Sequence, residues 1–237
     1  MKQLLSEELN FNKDMELKEG EVLEEFFEDK KIIQNTKLYR FTSDSILLSR
    51  FVRAKAGEIV ADFCAGCGVV GFHFMCLNAQ VKSLTLFEMQ DTLVDMARRS
   101  ANLNGFECEI YHTKVQDIGR EFDDKFSLIL CNPPYERGGF ENASYEKAVC
   151  RKELTLTLDE LCLAAARKLK FGGRFALCHR ADRSAEVIYT LKNYGLETKR
   201  LQFVTGTEGG KPYLVLIEAV KGGKPATEVL PTVINRK

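Results

Sequence analysis

The sequence lacks an excess of either charge, because 34 Lys and Arg residues balance 34 Asp and Glu residues over 237 positions. Net charge alone therefore predicts no particular partner. The halves differ, since residues 1–119 hold 14 basic and 19 acidic residues (−5) and residues 120–237 hold 20 and 15 (+5). A basic C-terminal half is compatible with the docking of a polyanion, although scattered charges usually form an ordinary solvated surface.

Histidine is also scarce, with three widely separated residues. Cys64 and Cys67 have the C-x-x-C spacing of redox and metal sites, but no second close pair of cysteines accompanies them. No Ser/His/Asp or Cys/His arrangement is indicated by spacing. We therefore expect no metal. The eight cysteines lie mostly within predicted strands and helices, which predicts buried thiols in a reducing cytoplasm.

An uninterrupted apolar run that could cross a membrane is missing as well. Residues 63–81 carry no charge, but Gly, His, Asn and Gln residues interrupt them, and a glycine-rich loop explains this stretch better. The N-terminus soon becomes acidic, which is not typical of a signal peptide. We expect a soluble, cytoplasmic protein that does not associate with a membrane.

Strand and helix patterns alternate along the chain from Glu58 onward. The predicted strands are 59–63, 84–88, 107–112, 127–131, 174–179, 197–204 and 212–219, and the predicted helices are 70–77, 91–103, 154–169 and 182–193. This alternation predicts an α/β fold with a seven-stranded, mostly parallel, doubly wound sheet that ends in an antiparallel hairpin strand. We expect residues 1–54 to form an N-terminal extension, with a helix or hairpin near residues 22–27, and residues 221–237 to form a tail.

The segment from Phe126 to Tyr135 combines a buried strand with a rigid turn. Pro133 and Pro134 prevent further strand pairing and hold Asn132 in an extended conformation at the tip of the strand. The side-chain oxygen of Asn132, the carbonyl of Pro133 and the ring of Tyr135 suit a flat group that carries an NH2. The alternative is a strand that ends in a rigid turn, with Tyr135 half-buried as a lid.

A glycine-rich turn follows the first strand of the alternation. Gly66, Gly68 and Gly71 fit G-x-G-x-x-G, and Glu88 lies at the tip of the next strand, where an acid can bind a ribose diol. Asp62 at the mouth of this loop would repel the pyrophosphate of a nicotinamide cofactor. S-adenosylmethionine (SAM) has no phosphate, and its ammonium group would be attracted to such an acid. The loop therefore favours SAM over a dinucleotide.

Three further residues are candidate cofactor contacts. Asp117 follows the third strand, where it can accept from the amino group of the SAM adenine. Thr42 or Asp44 can cap a helix and close over the methionine end of SAM. The alternatives are an N-cap or surface acid for Asp117 and an exposed strand-end acid for Glu88.

The order of these features resembles the class I SAM-dependent methyltransferases that modify exocyclic amino nitrogens. The matching residues are Asp62, Gly66, Gly68, Glu88, Asp117 and Asn132-Pro133-Pro134-Tyr135. Residues 39–48, 179–183 and 195–204 resemble segments of the bacterial YfiC-like family, the valine-tRNA adenine-N6 methyltransferases. The resemblance runs from about residue 33 to residue 231. Cys64 and Cys67 depart from it, because small or apolar residues are more usual in the glycine loop.

This resemblance implies a Rossmann-like methyltransferase domain over residues 55–220 that transfers a methyl group from SAM to the N6 amino group of an adenine in tRNA. The implied target is adenine 37, beside the anticodon of tRNA(Val), so the expected partner is the anticodon loop. The implied catalytic residues are Asn132, Pro133, Pro134 and Tyr135, and the implied cofactor contacts are Thr42, Asp44, Asp62, Gly66, Gly68, Glu88, Asp117 and Asn132. Alternatives are a protein glutamine-N5 or rRNA guanine-N2 methyltransferase, or a SAM-binding or nicotinamide-binding module without transfer activity.

Overall fold

The computed structural model describes residues 16–38, 40–134 and 155–236. Within them, the strands are β1 (Glu21–Phe27), β2 (Lys30–Asn35), β3 (Ile59–Phe63), β4 (Ser83–Glu88), β5 (Glu109–His112), β6 (Phe126–Cys131), β7 (Leu169–Arg180), β8 (Leu196–Thr205), β9 (Leu214–Lys221) and β10 (Glu228–Ile234). The α-helices are α1 (Ser43–Phe51), α2 (Val69–Leu77), α3 (Asp91–Asn104), α4 (Leu158–Lys168) and α5 (Ser184–Asn193). None of these described helices has both the length and the apolar character needed to span a membrane.

The central sheet has the strand order β10-β8-β9-β7-β6-β3-β4-β5. Strands β3 to β7 pair in parallel, whereas β9 is antiparallel to both β7 and β8. The chain proceeds from β3 outward to β4 and β5, and then returns to the other side of β3 for β6 and β7. The winding direction therefore reverses between β3 and β6, where open α/β sheets bind their ligands. The predicted α/β fold, with a mostly parallel sheet and an antiparallel hairpin, is confirmed.

Alternate residues of the central strands face two separate cores. In β6, Leu128 and Leu130 pack with residues of α1, α2 and α3, while Ile129 and Cys131 pack with residues of α4 and α5. All the residues of β6 are buried. The strand thus has helices on both faces, which explains why its sequence is continuously apolar.

The N-terminal extension contains a hairpin, which is one of the two structures expected near residues 22–27. β1 and β2 pair in antiparallel fashion and dock on α3. The backbone N–H of Ile33 donates to Ser100 Oγ at 2.9 Å, and Arg99 donates to the buried Glu21 carboxylate at 2.9 Å. These bonds connect the hairpin to helix α3, which packs against the central sheet.

Two segments differ from the prediction. Helix α4 begins at Leu158 rather than near residue 154, because Thr157 and Glu160 form a capping box that starts the helix there. The predicted tail contains β10, which pairs in parallel with β8 and gives the sheet eight strands instead of seven. Pro231 lies where the register of β10 shifts, as expected for a residue that has no N–H to donate.

Candidate active site

An open cleft lies where the winding of the sheet reverses, at the carboxyl ends of β3, β4 and β6. The cleft is open to solvent, and the empty space within it, solvent included, is about 810 Å³. Three elements identified in the sequence line it together: the glycine loop, the tip of β4 and the tip of β6. Their lining residues are Cys64, Ala65, Gly66, Cys67, Glu88, Asn132 and Pro134. The structure therefore brings the two main sequence motifs to one site.

The glycine loop has the backbone that its sequence predicts. Gly66 and Gly68 have φ values of +58° and +93°, in the left-handed region that favours glycine. A Cβ at Gly68 would lie 2.4 Å from the Phe72 ring, so this position also needs glycine for packing. A Cβ at Gly66 would meet no atom within 4 Å. Gly66 therefore leaves open space at the floor of the cleft, which allows a ligand to approach the backbone closely.

Asp62 lies beneath the loop and is fully buried. Its Oδ2 accepts from the backbone N–H of Gly71 at 2.9 Å, whereas its Oδ1 has no partner within the described part of the chain. Burial raises the pKa of Asp62 to about 8; the Gly71 N–H opposes this shift and the Glu88 carboxylate adds to it. The side chain is absent from the cleft lining, so its contact with the ammonium group of SAM stays a prediction.

Glu88 lines the cleft at the end of β4, and its carboxylate links the glycine loop to the connection between β4 and α3. Its Oε2 accepts from the N–H of Gly66, and its Oε1 accepts from the N–H groups of Met89 and Gln90, each at 2.9 Å. Burial raises the pKa of Glu88 above its usual range, although these three N–H groups oppose the shift. The carboxylate is thus held rigidly at the cleft wall, and its bond to a ribose diol stays a prediction.

Asn132 occupies the tip of β6 on the opposite wall. Its Nδ2 donates to Ser45 Oγ at 3.0 Å, and its Oδ1 accepts from the Cys178 thiol at 2.9 Å. Pro133 is buried behind it and Pro134 lines the cleft. Tyr135 lies outside the described residues. The amide at the predicted position therefore faces the cleft with its orientation defined by two partners.

The remaining predicted contacts lie outside the cleft lining. Thr42 occupies the N-cap position of α1 without a side-chain capping bond and is exposed, and Asp44 follows in the first turn, half-buried. Asp117 is exposed at the end of a 3₁₀ turn that spans Val115–Asp117. The roles of these three residues as cofactor contacts stay predictions.

Several lining residues were not identified from the sequence. They are Phe41 and Ser45 from the segment at the start of α1, Lys114 and Gln116 from the connection after β5, and Thr155. The Nε2 of Gln116 donates to the carbonyl of Thr155 at 2.7 Å, which joins two walls of the cleft. Ser45 and Gln116 are direct neighbours of the predicted Asp44 and Asp117. Each of these two predicted contacts therefore lies next to a residue that lines the cleft, and packing decides which side chain enters it.

Two cysteines lie at the carboxyl ends of neighbouring strands, Cys64 directly after β3 and Cys131 at the end of β6. Cys64 and Cys131 hydrogen-bond to each other. Burial is the main cause that raises the pKa of Cys131 well above its usual range, and the hydrogen bond with Cys64 adds to the shift. Within residues 16–38, 40–134 and 155–236, no group of three or more His, Cys, Asp or Glu side chains could hold a metal ion. None of the seven cysteines in these ranges forms a disulfide. Cys131 therefore keeps its proton and packs within the core at the tip of β6.

Comparisons with known proteins agree with this geometry. The model of the methyltransferase small domain family matches residues 40–199, more than half of the chain. The tRNA1(Val) (adenine(37)-N6)-methyltransferase of Bacteroides thetaiotaomicron is 22% identical over 175 residues, which cover 74% of each chain. The enzyme of the same name from Photobacterium profundum is 26% identical over 183 residues, which cover 75% of each chain.

A solved structure shows the same fold. The crystal structure of a predicted O-methyltransferase from Agrobacterium tumefaciens matches with a TM-score of 0.65 at 20% identity, over 81% of this chain and 86% of that chain. Gly66 leaves room for close approach of SAM, Glu88 lines the cleft, and Val69 and Val70 of the first turn of α2 line it too, so the residues present fit this cofactor. The chain belongs to the methyltransferase small domain family, and it is an enzyme that uses SAM as its methyl donor.

Proposed function

We propose that this enzyme methylates the exocyclic N6 amino group of an adenine in tRNA, and that the target is adenine 37 beside the anticodon of tRNA(Val). The observation that carries the proposal is the Asn132 amide, which lies in the cleft at the tip of a strand buried on both faces and is followed by two prolines. The names of the relatives support the choice of tRNA and of adenine. With tRNA as its substrate, the enzyme would act in the cytoplasm.

One half of the cleft would hold the cofactor. The Gly66 backbone and the first turn of α2 would face the methionine carboxylate, Glu88 the ribose, and Val115 or Gln116 the adenine. When bound, SAM supplies a methyl group activated by a sulfonium. We propose that residues 55–220 form this catalytic domain and that α1, in the extension over residues 1–54, covers one side of the cleft.

The other half would present the amine. The lone pair of an adenine N6 is delocalised into the ring, so this nitrogen is a weak nucleophile in its planar form. The Asn132 oxygen and the Pro133 carbonyl would accept its two hydrogens and orient the lone pair toward the methyl group. These bonds strengthen as the nitrogen becomes tetrahedral and positive, and therefore stabilise the transition state more than the ground state. No strong base is required if the proton leaves after methyl transfer.

The adenine must leave its stack to reach this cleft. An anticodon loop is single-stranded, so unstacking one of its bases costs little compared with opening a duplex. We propose that the aromatic ring of Tyr135, directly after Pro134 in the sequence, stacks on the extruded base.

The test is a transfer assay with methyl-labelled SAM and, separately, total tRNA, rRNA and protein extract. We expect label in tRNA, released as N6-methyladenosine after digestion to nucleosides. Label in N2-methylguanosine from rRNA, or in N5-methylglutamine from protein, would overturn the proposal.

A second assay locates the base with tRNA(Val) transcripts. Replacement of adenine 37 by guanine should abolish labelling, whereas replacement of another anticodon-loop base should preserve it. Labelling that survives the first change would refute the assignment to adenine 37.

A further inference from the structure

The Asn132 amide is held from two sides by residues that the proposed reaction does not use directly. Its Nδ2 donates to Ser45 Oγ at 3.0 Å, and its Oδ1 accepts from Cys178 Sγ at 2.9 Å. Ser45 lies in the first turn of α1 and Cys178 in β7, and both are buried. An amide that is bonded at both ends cannot rotate without losing both bonds. The orientation of Asn132 is therefore set by two separate elements of the fold.

The chemistry of these partners decides which end of the amide faces each of them. A thiol sulfur is a weak hydrogen-bond acceptor. The S–H group therefore donates to an amide oxygen more favourably than the sulfur accepts from an amide NH2. Burial raises the pKa of Cys178 well above its usual range, and the Asp44 carboxylate adds to the shift, so the thiol keeps the proton that it donates. The Ser45 hydroxyl is a good acceptor for the Nδ2 group. Both partners therefore favour the same orientation.

This orientation leaves the amide oxygen able to bind a substrate. An amide oxygen has two lone pairs, so the thiol of Cys178 uses one and an amino group can use the other. Because S–H is a weak donor, it orients the oxygen with little competition for its electrons. We infer that Ser45 and Cys178 are positioning residues, which hold the Asn132 amide with its oxygen directed at the acceptor amine. The inference rests on the proposed function for the role of Asn132.

The experiment compares Ser45→Ala and Cys178→Ala with two matched controls. Ser43→Ala removes a hydroxyl from the same turn of α1, but this hydroxyl accepts from Asn235 Nδ2 at 2.8 Å and does not contact Asn132. Cys162→Ala removes a buried thiol from α4, which belongs to the core on the other face of the sheet. For each variant, single-turnover labelling of the tRNA(Val) transcript gives the rate, and calorimetry gives the Kd of SAM.

We expect Ser45→Ala to lower the rate of transfer about tenfold and Cys178→Ala about threefold, as for one ordinary and one weak hydrogen bond. The Kd of SAM and the KM for tRNA should stay within about twofold, since the amide acts in the chemical step. Ser45→Thr keeps the hydroxyl and Cys178→Ser replaces the thiol donor by a hydroxyl donor, so both should retain most of the rate. Both controls should match the wild type. A rise in the Kd of SAM that accounts for the loss of rate would overturn the inference.

A double-mutant cycle separates positioning from general structural damage. In an Asn132→Ala background the amide is absent, so Ser45→Ala should have no further effect on the rate. An equal loss of rate in both backgrounds would show that Ser45 acts independently of Asn132, and would overturn the inference. If Ser45→Ala is too unstable to assay, Cys178→Ala takes its place in the cycle, because it removes the other hydrogen bond to the Asn132 amide.

The cycle also distinguishes this inference from the proposed function. If tRNA adenine is labelled and the effects are additive, the proposed function stands and the positioning role is wrong. If a protein glutamine or a guanine is labelled instead, the same cycle is measured with that acceptor. Non-additive effects there would support the positioning role although the proposed substrate is wrong.

Discussion

The two ends of the central sheet satisfy their buried polar groups in different ways. Near the amino ends of the strands, Arg174 donates to Glu58 at 2.7 and 2.8 Å and to Glu218 at 2.9 Å, and all three residues are buried. At the carboxyl ends, the Oδ1 of Asp62 lacks a partner within the described residues, and the Oδ1 of Asn132 takes a thiol donor. At one end the buried charges bond one another, although Arg174 Nε lacks a partner within the described residues, and at the other end carboxyl and amide oxygens keep hydrogen-bonding capacity.

This difference indicates where stability and chemistry reside. Arg174 joins β7 to β9 and to Glu58, the residue before β3, so its ion pairs hold three strands together. The groups at the carboxyl ends are oriented by weaker bonds, which leaves them able to bind a ligand. Substitutions at the amino ends should therefore affect folding, and substitutions at the carboxyl ends should affect binding or turnover.

The largest expected effect is at Asn132. Asn132→Ala should lower kcat about a thousandfold, because it removes an acceptor that acts mainly in the transition state. The Kd of SAM should change by less than about threefold, since the glycine loop and Glu88 remain. Kinetics and titration calorimetry measure the two quantities. Loss of SAM binding with intact chemistry would contradict the assigned role.

The opposite result is expected at Arg174. Arg174→Met leaves the buried Glu58 carboxylate without its cation and Glu218 with only the longer Arg200 pair at 3.8 Å, and should lower the free energy of unfolding by about 3 kcal/mol. At a temperature where the variant remains folded, kcat should be unchanged. The control is Lys18→Met, which breaks the exposed Lys18–Asp95 pair and should cost less than about 0.5 kcal/mol. Urea unfolding measures both, and equal losses would show that burial does not strengthen the Arg174 ion pairs.

The sequence could predict those features of the site that depend on neighbouring residues in the chain, namely the glycine loop and the end of β6. Gly68 needs a left-handed backbone, and the two prolines after Asn132 end a strand by their own chemistry. For this reason the glycine loop and the strand tip were predicted with the correct residues. The central parallel strands could be predicted from their continuous apolar runs, because such strands are buried by helices on both faces of the sheet.

Contacts between distant elements could not be predicted in this way. Ser45 and Cys178 are 87 and 46 positions from Asn132, and they reach it only because α1 packs against the sheet and β7 pairs with β6. Strand β10 was missed for a related reason. Most of its residues are exposed, so its sequence does not have the apolar alternation of a half-buried strand.

A smaller effect, on the Kd of SAM, should distinguish two glycines that have similar backbone conformations. Gly66 and Gly195 have φ values of +58° and +73°, and a Cβ at either would meet no atom within 4 Å. Substitution by Ala should therefore cost about 1 kcal/mol of stability at each position. Only Gly66 lines the cleft, so only Gly66→Ala should weaken SAM binding, by about thirtyfold. Equal Kd values for SAM in the two variants would show that the ligand does not approach this part of the loop.

The last expected effect is a pH dependence of stability that originates at Asp62. Its pKa in the folded protein is raised from 3.8 to about 8, so between these values the folded state binds more protons than the unfolded state. The stabilisation is therefore complete below about pH 4 and is lost as the pH rises toward 8, with a slope of at most about 1.4 kcal/mol per pH unit.

Asp62→Asn removes this titration and keeps an oxygen that can accept from the Gly71 N–H. The free energy of unfolding of the wild type, minus that of Asp62→Asn, should fall steadily between pH 5 and 8. Taking this difference at each pH cancels the contributions of groups that do not interact with Asp62, whereas Glu88, whose carboxylate helps to raise the pKa of Asp62, contributes to the difference. A difference that does not change with pH would show that Asp62 is ionised throughout. The carboxyl end of the sheet would then hold a buried charge, as the amino end does, and the contrast between the two ends would be smaller than the hydrogen bonds indicate.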